Sequence, residues 1–356
     1  MRILQVCQRY YPDLGGLEEH VRSISERLAQ DHDVTVATTD SSGKMPKKTE
    51  LNGVEVLRFK SWAPGEAYFL SFSLRQYLIK NSKCFDIVHT HGYSTFTSVF
   101  AASAKNENKL VFTPHYHGKG HTRFRALLHK PYKRLGKRVF DAADKIICVS
   151  NYERGMIFED FKAYQEKTVM IPNGVNLSEF SPLEKKSRDD RLVLYVGRLE
   201  KYKGVQYLIE VLPHIDSEIR LKIIGKGPYR DKLILLTKRL RLENRVTFLH
   251  DLSRAELLRE YAGAGLCALL SEHEAFGLSV AESLCAGTPV VVADTSALTE
   301  WIDEQNCFGV KFPITLSDLA ATLSSVIGKE VKNPKVRDWD EIASMTSNLY
   351  EICLSG

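Results

Sequence analysis

Short apolar runs alternate with amphipathic stretches along almost the whole chain. In the first half the runs are "RILQVC", "DVTVAT", "VEVLRF", "DIVHTH", "LVFTPH" and "KIICVS"; in the second they are "LVLYVG", "RLKIIG", "VTFLHD", "GLCALL" and "TPVVVAD". Their length predicts strands rather than helices. Between them, "GLEEHVRSISERLAQ" puts Val21, Ile24 and Leu28 on one helical face, and "GVQYLIEVL" behaves in the same way. Strand–helix–strand alternation implies parallel sheets covered by helices on both faces. Two such sets predict an α/β protein of two doubly wound, Rossmann-like domains. The alternation pauses at "IPNGVNLSEFSP", residues 171–182, where Pro172, Asn173, Gly174 and Pro182 supply turn chemistry.

Length and composition agree with that division. At 356 residues the chain is long enough for two cores, and its 44% hydrophobic and 26% charged content is that of an ordinary globular protein. No run approaches the roughly eighteen apolar residues of a membrane span, and "MRILQVCQRYYPD" reads as a strand and turn rather than a signal peptide. A cytoplasmic location is expected. Seven cysteines, odd in number, widely spaced and without a C-x-x-C pair, predict mostly buried thiols, with neither a disulfide framework nor a thiolate metal site. The net charge of +5 conceals an asymmetry: residues 1–170 carry 26 Lys and Arg against 18 Asp and Glu, the remainder 23 against 26. The two halves are expected to face different partners.

In open parallel sheets ligands bind beyond the carboxyl ends of strands, so the loops there hold the candidate chemistry. "YYPDLGGLEEH" delivers Gly15 and Gly16 to a helix start, where backbone N–H groups suit a phosphate. "YVGRLEKYKG" carries Arg198, a planar fork, and Lys203, a mobile point charge, a sensible pair for a diphosphate. "GLCALLSE" predicts a strand, "HEAFGLS" its loop and "SVAESLCAG" a helix closed by Gly287. The amides of Phe276, Gly277, Leu278 and Ser279 then lie at a helix start, with Glu282 about one turn in and Glu274 on the other side of the turn. A carboxylate repels phosphate but accepts hydrogen bonds from vicinal hydroxyls, so Glu282 fits a ribose and Glu274 a sugar beyond the diphosphate. Taken singly, each has a plainer account: a glycine turn, solvated cations, a helix carboxylate beside the dipole.

The ordered set is more specific than its parts. Glu274 and Glu282, spaced E-x7-E around F-G-L-S, resemble the signature of retaining glycosyltransferases of the GT-B fold, specifically glycosyltransferase family four. "GRLEKYKG", "IIGKGPYRDKL", "PNGVNLSEF", "YYPDLGGLEEHV" and "DIVHTHG" are similar to that family in the same order, so the resemblance covers essentially the whole chain. It implies two Rossmann-like domains facing across a cleft: an acceptor-side domain of residues 1–172 plus 336–356, closed by a crossing helix "WDEIASMTSNLYEI", and a donor domain of residues 173–335. Arg198 and Lys203 would contact the donor diphosphate, Glu282 the ribose and Glu274 the transferred sugar. The amides at 276–278 would hold phosphate or sugar oxygens. Gly225 and Gly227 would flank the nucleotide, its base near the end of "VTFLHD", and Gly16 would approach the diphosphate from the other domain. A histidine against the donor sugar is implied in "VFTPHYHG": His115 or His117, with His115 nearest the strand end. Asn176 stands where an aspartate is common in the pattern.

The expected activity is therefore transfer of a sugar from a nucleotide-sugar donor, UDP-linked ahead of GDP-mannose, to a hydroxyl acceptor. No D-x-D stands in a metal-binding context, so cations and helix amides are expected to stabilise the leaving diphosphate, with no metal and no cofactor. A donor-binding but inactive partner subunit is one alternative. A dinucleotide-dependent oxidoreductase is another, but "GKGPYR" lacks the third glycine of G-x-G-x-x-G. No nucleic-acid motif accompanies the basic first half. Residues 119–138, "KGHTRFRALLHKPYKRLGKR", hold eight Lys or Arg and no acid, and "SWAPGEAYFLSFSLRQYL" places Trp62, Tyr68, Phe69, Leu70 and Phe72 upstream. These predict attachment to an anionic membrane surface on its cytoplasmic face and a lipid-linked acceptor, although Pro131 interrupts the basic helix.

Overall fold

A computed structural model of the chain describes residues 1–13, 15–64, 69–93, 95–116, 135–181 and 188–355. His117, Tyr68, Pro182 and most of the basic run, 119–134, lie outside the described residues. Two compact units form: Met1–Asn173 with Trp339–Gly356, and Gly174–Asp338.

The first unit is built on an eight-stranded sheet in the order β3-β4-β2-β1-β5-β6-β7-β8. Its strands are β1 (Arg2–Val6), β2 (Asp33–Asp40), β3 (Lys48–Leu51), β4 (Val54–Lys60), β5 (Ile87–His91), β6 (Lys109–Thr113), β7 (Lys145–Cys148) and β8 (Thr168–Met170). All neighbours are parallel except the β3–β4 edge pair. Helices α1 (Gly16–Leu28), α2 (Phe72–Asn81), α3 (Phe96–Ser103), α4 (over 135–142) and α5 (Asn151–Asp160) connect them. The apolar face read in α1 is buried, with Val21 and Ile24 at 0% and 1% exposure.

The second unit has six parallel strands, ordered β11-β10-β9-β12-β13-β14. They are β9 (Asp189–Val196), β10 (Arg220–Ile224), β11 (Val246–Leu249), β12 (Ala264–Leu269), β13 (Val290–Asp294) and β14 (Cys307–Lys311), carried with α6 (Val205–Val211), α7 (Arg230–Arg239), α8 (Arg254–Gly263), α9 (Leu278–Cys285) and α10 (Leu316–Val326). The long α11 (Trp339–Ser355) returns to the first unit and packs on α1, burying Trp339, Leu349 and Tyr350.

Every run read as a strand is one. β3, β8 and β14 escaped the pattern: "KTEL" is a polar edge strand, "TVM" is three residues long, and Gly309 interrupts "CFGVK". Both sheets are doubly wound, so the loops after β1, β5, β6, β9, β10 and β12 gather at the carboxyl edge of their own sheet, where the functional side chains follow.

Candidate functional site

In the second unit three loops are laced together by their backbones. Leu199 N–H donates to Lys226 O at 2.8 Å, Tyr229 N–H to Leu199 O at 2.9 Å, and Glu272 N–H to Tyr202 O at 2.8 Å. The loop after β10 therefore lies directly on the loop after β9. At Gly225, φ +154°, a Cβ would stand 1.9 Å from Gly197 O, so this close approach requires glycine. Gly227 lies the same way against Leu199 O. The structure thus gives both glycines a packing role alongside the nucleotide contact expected of them. Beyond β11, where the base is expected, Lys226 pairs with Asp251 at 2.5 Å.

Lys203 closes the short helical turn before α6 and reaches Glu274 in the loop after β12, Nζ to Oε1 2.5 Å, both side chains 15% exposed. Burial alone would lower the ammonium's pKa. The Glu274 charge, aided by Tyr202 and the hydrogen bond, outweighs it and holds the pKa above the ordinary lysine value. Glu274 is itself fixed by its backbone: its N–H donates to Ser296 Oγ at 3.1 Å and its carbonyl accepts from Ala297 N at 3.3 Å. Arg198 is half exposed and makes a long 3.4 Å contact with Glu200.

Gly277, φ +98°, caps α9, and no side chain caps that helix. Phe276 is anchored edge-on to Trp301, whose Nε1–H donates to Phe276 O at 2.7 Å. Leu278 and Ser279 form the first turn, and Glu282 lies in the next. One oxygen of Glu282 is ion-paired with Arg254 and the other accepts from Tyr261 Oη at 3.0 Å; Arg254 also pairs with Glu179 at 2.8 Å. Burial would lower the guanidinium's pKa, but the two carboxylates carry it above its ordinary value. Arg254 and Tyr261, both on α8, were not anticipated. Nothing in local spacing relates them to Glu282; only the packing of α8 on α9 does.

In the first unit the turn before α1 is already supplied with charge. A Cβ on Gly15 would meet Glu18 Oε2 at 2.3 Å, and Glu18 pairs with Arg9 at 2.8 Å. Gly15 and Gly16, expected at a phosphate, therefore stand beside a Glu18–Arg9 ion pair. His115 follows β6 in a left-handed conformation, φ +47°. Around it two histidines converge. His20 of α1 lies 5.0 Å from His115 and His91 of β5 lies 6.4 Å from it, centroid to centroid, with 5.3 Å between His20 and His91. Burial drives the pKa of His20 down to about 4, and burial with the neighbouring imidazoles drives that of His91 well below the ordinary value. Both are neutral near pH 7.

Residues 14–179 match the family described as "Glycosyltransferase Family 4", and residues 178–344 the one described as "Glycosyl transferases group 1". The chain belongs to glycosyltransferase family 4. Among similar proteins, an uncharacterized glycosyltransferase of Methanocaldococcus jannaschii is 27% identical over 99% of both chains. A GDP-mannose:cellobiosyl-diphosphopolyprenol alpha-mannosyltransferase of Komagataeibacter xylinus is 23% identical over 99% of this chain and 93% of that one. HepE of Anabaena in complex with UDP-glucose superposes with a TM-score of 0.80 at 20% identity, covering 99% of this chain and 100% of the other. The fold is GT-B. Family 4 membership sets aside the oxidoreductase alternative. For a family 4 enzyme, β12, its loop and α9 form as the sequence predicted, bringing Lys203 to Glu274 and Arg254 to Glu282. His20 and His91 stand inside the motifs above without a role; the H-T-H spacing puts His89 and His91 on one strand face but does not bring His20 or His115 to them.

Proposed function

We propose that this family 4 glycosyltransferase moves a hexosyl group from a nucleotide diphosphate sugar to an acceptor hydroxyl with retention of configuration and without a metal at the diphosphate. The observation that carries this reading is the mostly buried Lys203–Glu274 pair at the loop edge of the second sheet. A lysine held charged out of water is a preorganised partner for charge developing on a leaving diphosphate. Arg198, half exposed beside it, adds a second cation. A carboxylate oxygen has two acceptor positions, so Glu274 can hold Lys203 and still receive a sugar hydroxyl. By the same count Glu282, oriented by Arg254 and Tyr261, can accept from the ribose. Departure of the diphosphate leaves oxocarbenium character on the sugar. The acceptor hydroxyl then attacks from the face the diphosphate left, and its proton passes to an oxygen of the departed diphosphate as the new bond forms. His115 is the residue of the first unit assigned to the donor sugar.

UDP is favoured as the nucleotide; the Anabaena neighbour is described with UDP-glucose, whereas the Komagataeibacter relative is named for GDP-mannose. That relative is also named for a diphosphopolyprenol acceptor, which supports a lipid-linked acceptor here. Trp62 and Phe72, 68% and 72% exposed, suit a surface near lipid, whereas Phe69, grouped with them in the sequence, is buried; no described helix is long and apolar enough to cross a membrane. The test is thermal-shift and hydrolysis measurement with UDP-glucose, UDP-N-acetylglucosamine, UDP-galactose and GDP-mannose, then the anomeric configuration of the product by NMR. Stabilisation and turnover with one UDP-sugar are expected. Failure of all four to stabilise the protein, or an inverted product, overturns the reading.

A further inference from the structure

The three histidines of the first unit pose a problem that the glycosyl-transfer reading does not solve. His20 and His91 are each almost fully buried, and each has one nitrogen committed: His20 Nδ1 to Asn173 Oδ1 at 2.7 Å, His91 Nε2 to Gln5 Oε1 at 2.8 Å. The other nitrogens, His20 Nε2 and His91 Nδ1, are buried with no hydrogen-bond partner among the described residues. A neighbouring histidine shows the contrast. His89, equally buried, satisfies both nitrogens, with Tyr350 Oη at 2.6 Å and Thr113 Oγ1 at 2.8 Å. A buried polar atom without a partner costs free energy, so two of them on neighbouring rings of one cluster call for an explanation.

One nitrogen from each of His20, His91 and His115 lies within 4.8 Å of the other two. We propose that His20, His91 and His115 form a binding site for a divalent transition-metal ion of the zinc class. The amide oxygens of Gln5 and Asn173 are the supporting partners that such ligands need. Each accepts from the far side of an imidazole, fixes the tautomer and aims the remaining lone pair inward. Zinc binds imidazole nitrogen at about 2.0–2.1 Å, which in a tetrahedral site puts ligand nitrogens about 3.3 Å apart. Metal binding therefore draws the three rings together. His115 is the ring placed to move, since it lies on a loop and is only half buried, whereas α1 and β5 hold the other two. Three neutral imidazoles leave the ion its double charge and one open position. The fourth ligand is then water or an oxygen of a small molecule. Nitrogen ligands favour zinc, cobalt, nickel and copper over magnesium or calcium.

The topology makes this site rather than any local motif. β1, β5 and β6 are neighbours in the sheet; Gln5 and α1 come from the first, His91 from the end of the second, and His115 from the residues after the third. The site shares His115 with the donor-sugar contact proposed above; the titration below contains no donor or acceptor, so its failure and failure of the transfer reaction are distinguishable.

The experiment titrates Co2+ into the untagged chain carrying Cys84→Ser, which removes the exposed thiol, and follows visible ligand-field absorption, with Zn2+ as competitor. One equivalent of Co2+ with the bands of a four-coordinate nitrogen–oxygen site, displaced by Zn2+, is expected. His115→Asn keeps a residue type that tolerates the left-handed backbone, so it should fold. It should weaken Co2+ binding by roughly 100-fold, at least the effect of losing a supporting partner of a metal ligand. His91→Gln tests a buried ligand, its folding checked by circular dichroism. Absence of one-equivalent binding in the parent chain overturns the proposal whatever the variants do. So does binding by folded His115→Asn that matches the parent, which would leave an ordered water as the partner of the orphaned nitrogens.

Discussion

Lys203 keeps its charge out of water because Glu274 is beside it, and this mutual dependence decides how each should respond to substitution. Glu274→Ala leaves the ammonium mostly buried and without its carboxylate, a loss felt in stability as well as in turnover. A nucleotide diphosphate supplies negative charge of its own, so UDP binding should survive in that variant while transfer collapses. Glu282→Ala should behave differently. It removes a ribose acceptor and releases Arg254, weakening UDP and UDP-sugar alike by roughly 10- to 100-fold, the worth of a charged hydrogen bond. Calorimetric UDP binding and steady-state kinetics separate the two patterns; variants that bind and turn over like wild type would remove both assignments. For the cations, charge on the leaving diphosphate grows toward the transition state, so Arg198→Ala and Lys203→Ala should each lower kcat more than they weaken donor affinity. Reduced affinity with an unchanged rate at saturation would assign them to binding alone.

At the level of elements, β12, its turn and α9 were legible because the strand run, the F-G-L-S turn and the closing Gly287 are all local signals. The three overlooked strands are short, polar or broken by glycine, where periodicity carries little information. The Arg254–Glu282 pair and the histidine cluster were not legible, since α8 meets α9, and α1 meets β5 and β6, only through packing. The loop carrying His115 has a similarly long-range support in Glu153 of α5. Ser150 caps α5, accepting from Glu153 N, while the fully buried Glu153 carboxylate accepts from Val149 N at 2.7 Å and Tyr116 N at 2.6 Å. It ties the end of β7 to the residue after His115. Burial raises its pKa from 4.5 to about 7, against the lowering effect of those two hydrogen bonds. Between these values the folded state binds more protons than the unfolded one. The contribution to stability is therefore greatest below pH 4.5 and is lost as pH rises through about 7, by roughly 3 kcal/mol. Glu153→Gln removes this slope. In urea unfolding across that window, the stability of wild type relative to the variant should fall with rising pH; a constant difference would show that Glu153 does not titrate there.

At the scale of the whole molecule, charge is divided between the halves, and one run, residues 119–138, accounts for the whole excess of positive charge in the first half. Its described end shows that sequence charge and available charge differ. Lys137 and Arg138 are both exposed, but Lys137 is paired with Asp141 at 2.9 Å and sits over Tyr164, so part of its charge is taken up within its own unit. If the run serves an anionic membrane surface, each remaining cation near that surface is worth about 1 kcal/mol, and four or five would give reversible attachment. Such binding is screened by salt. The exposed Trp62, Phe72 and Ile79 would add apolar contact that salt does not screen. The chain should therefore sediment with anionic but not neutral liposomes at low salt and be released only in part at high salt. Changing Arg123, Arg125, Lys133 and Arg134 to Glu reverses four charges and should abolish the salt-sensitive fraction, while Trp62→Ala should reduce the fraction that resists salt. Sedimentation indifferent to lipid charge and to all of these substitutions would rule out a membrane surface as the partner of the basic half and make a soluble saccharide or small metabolite the acceptor to test next.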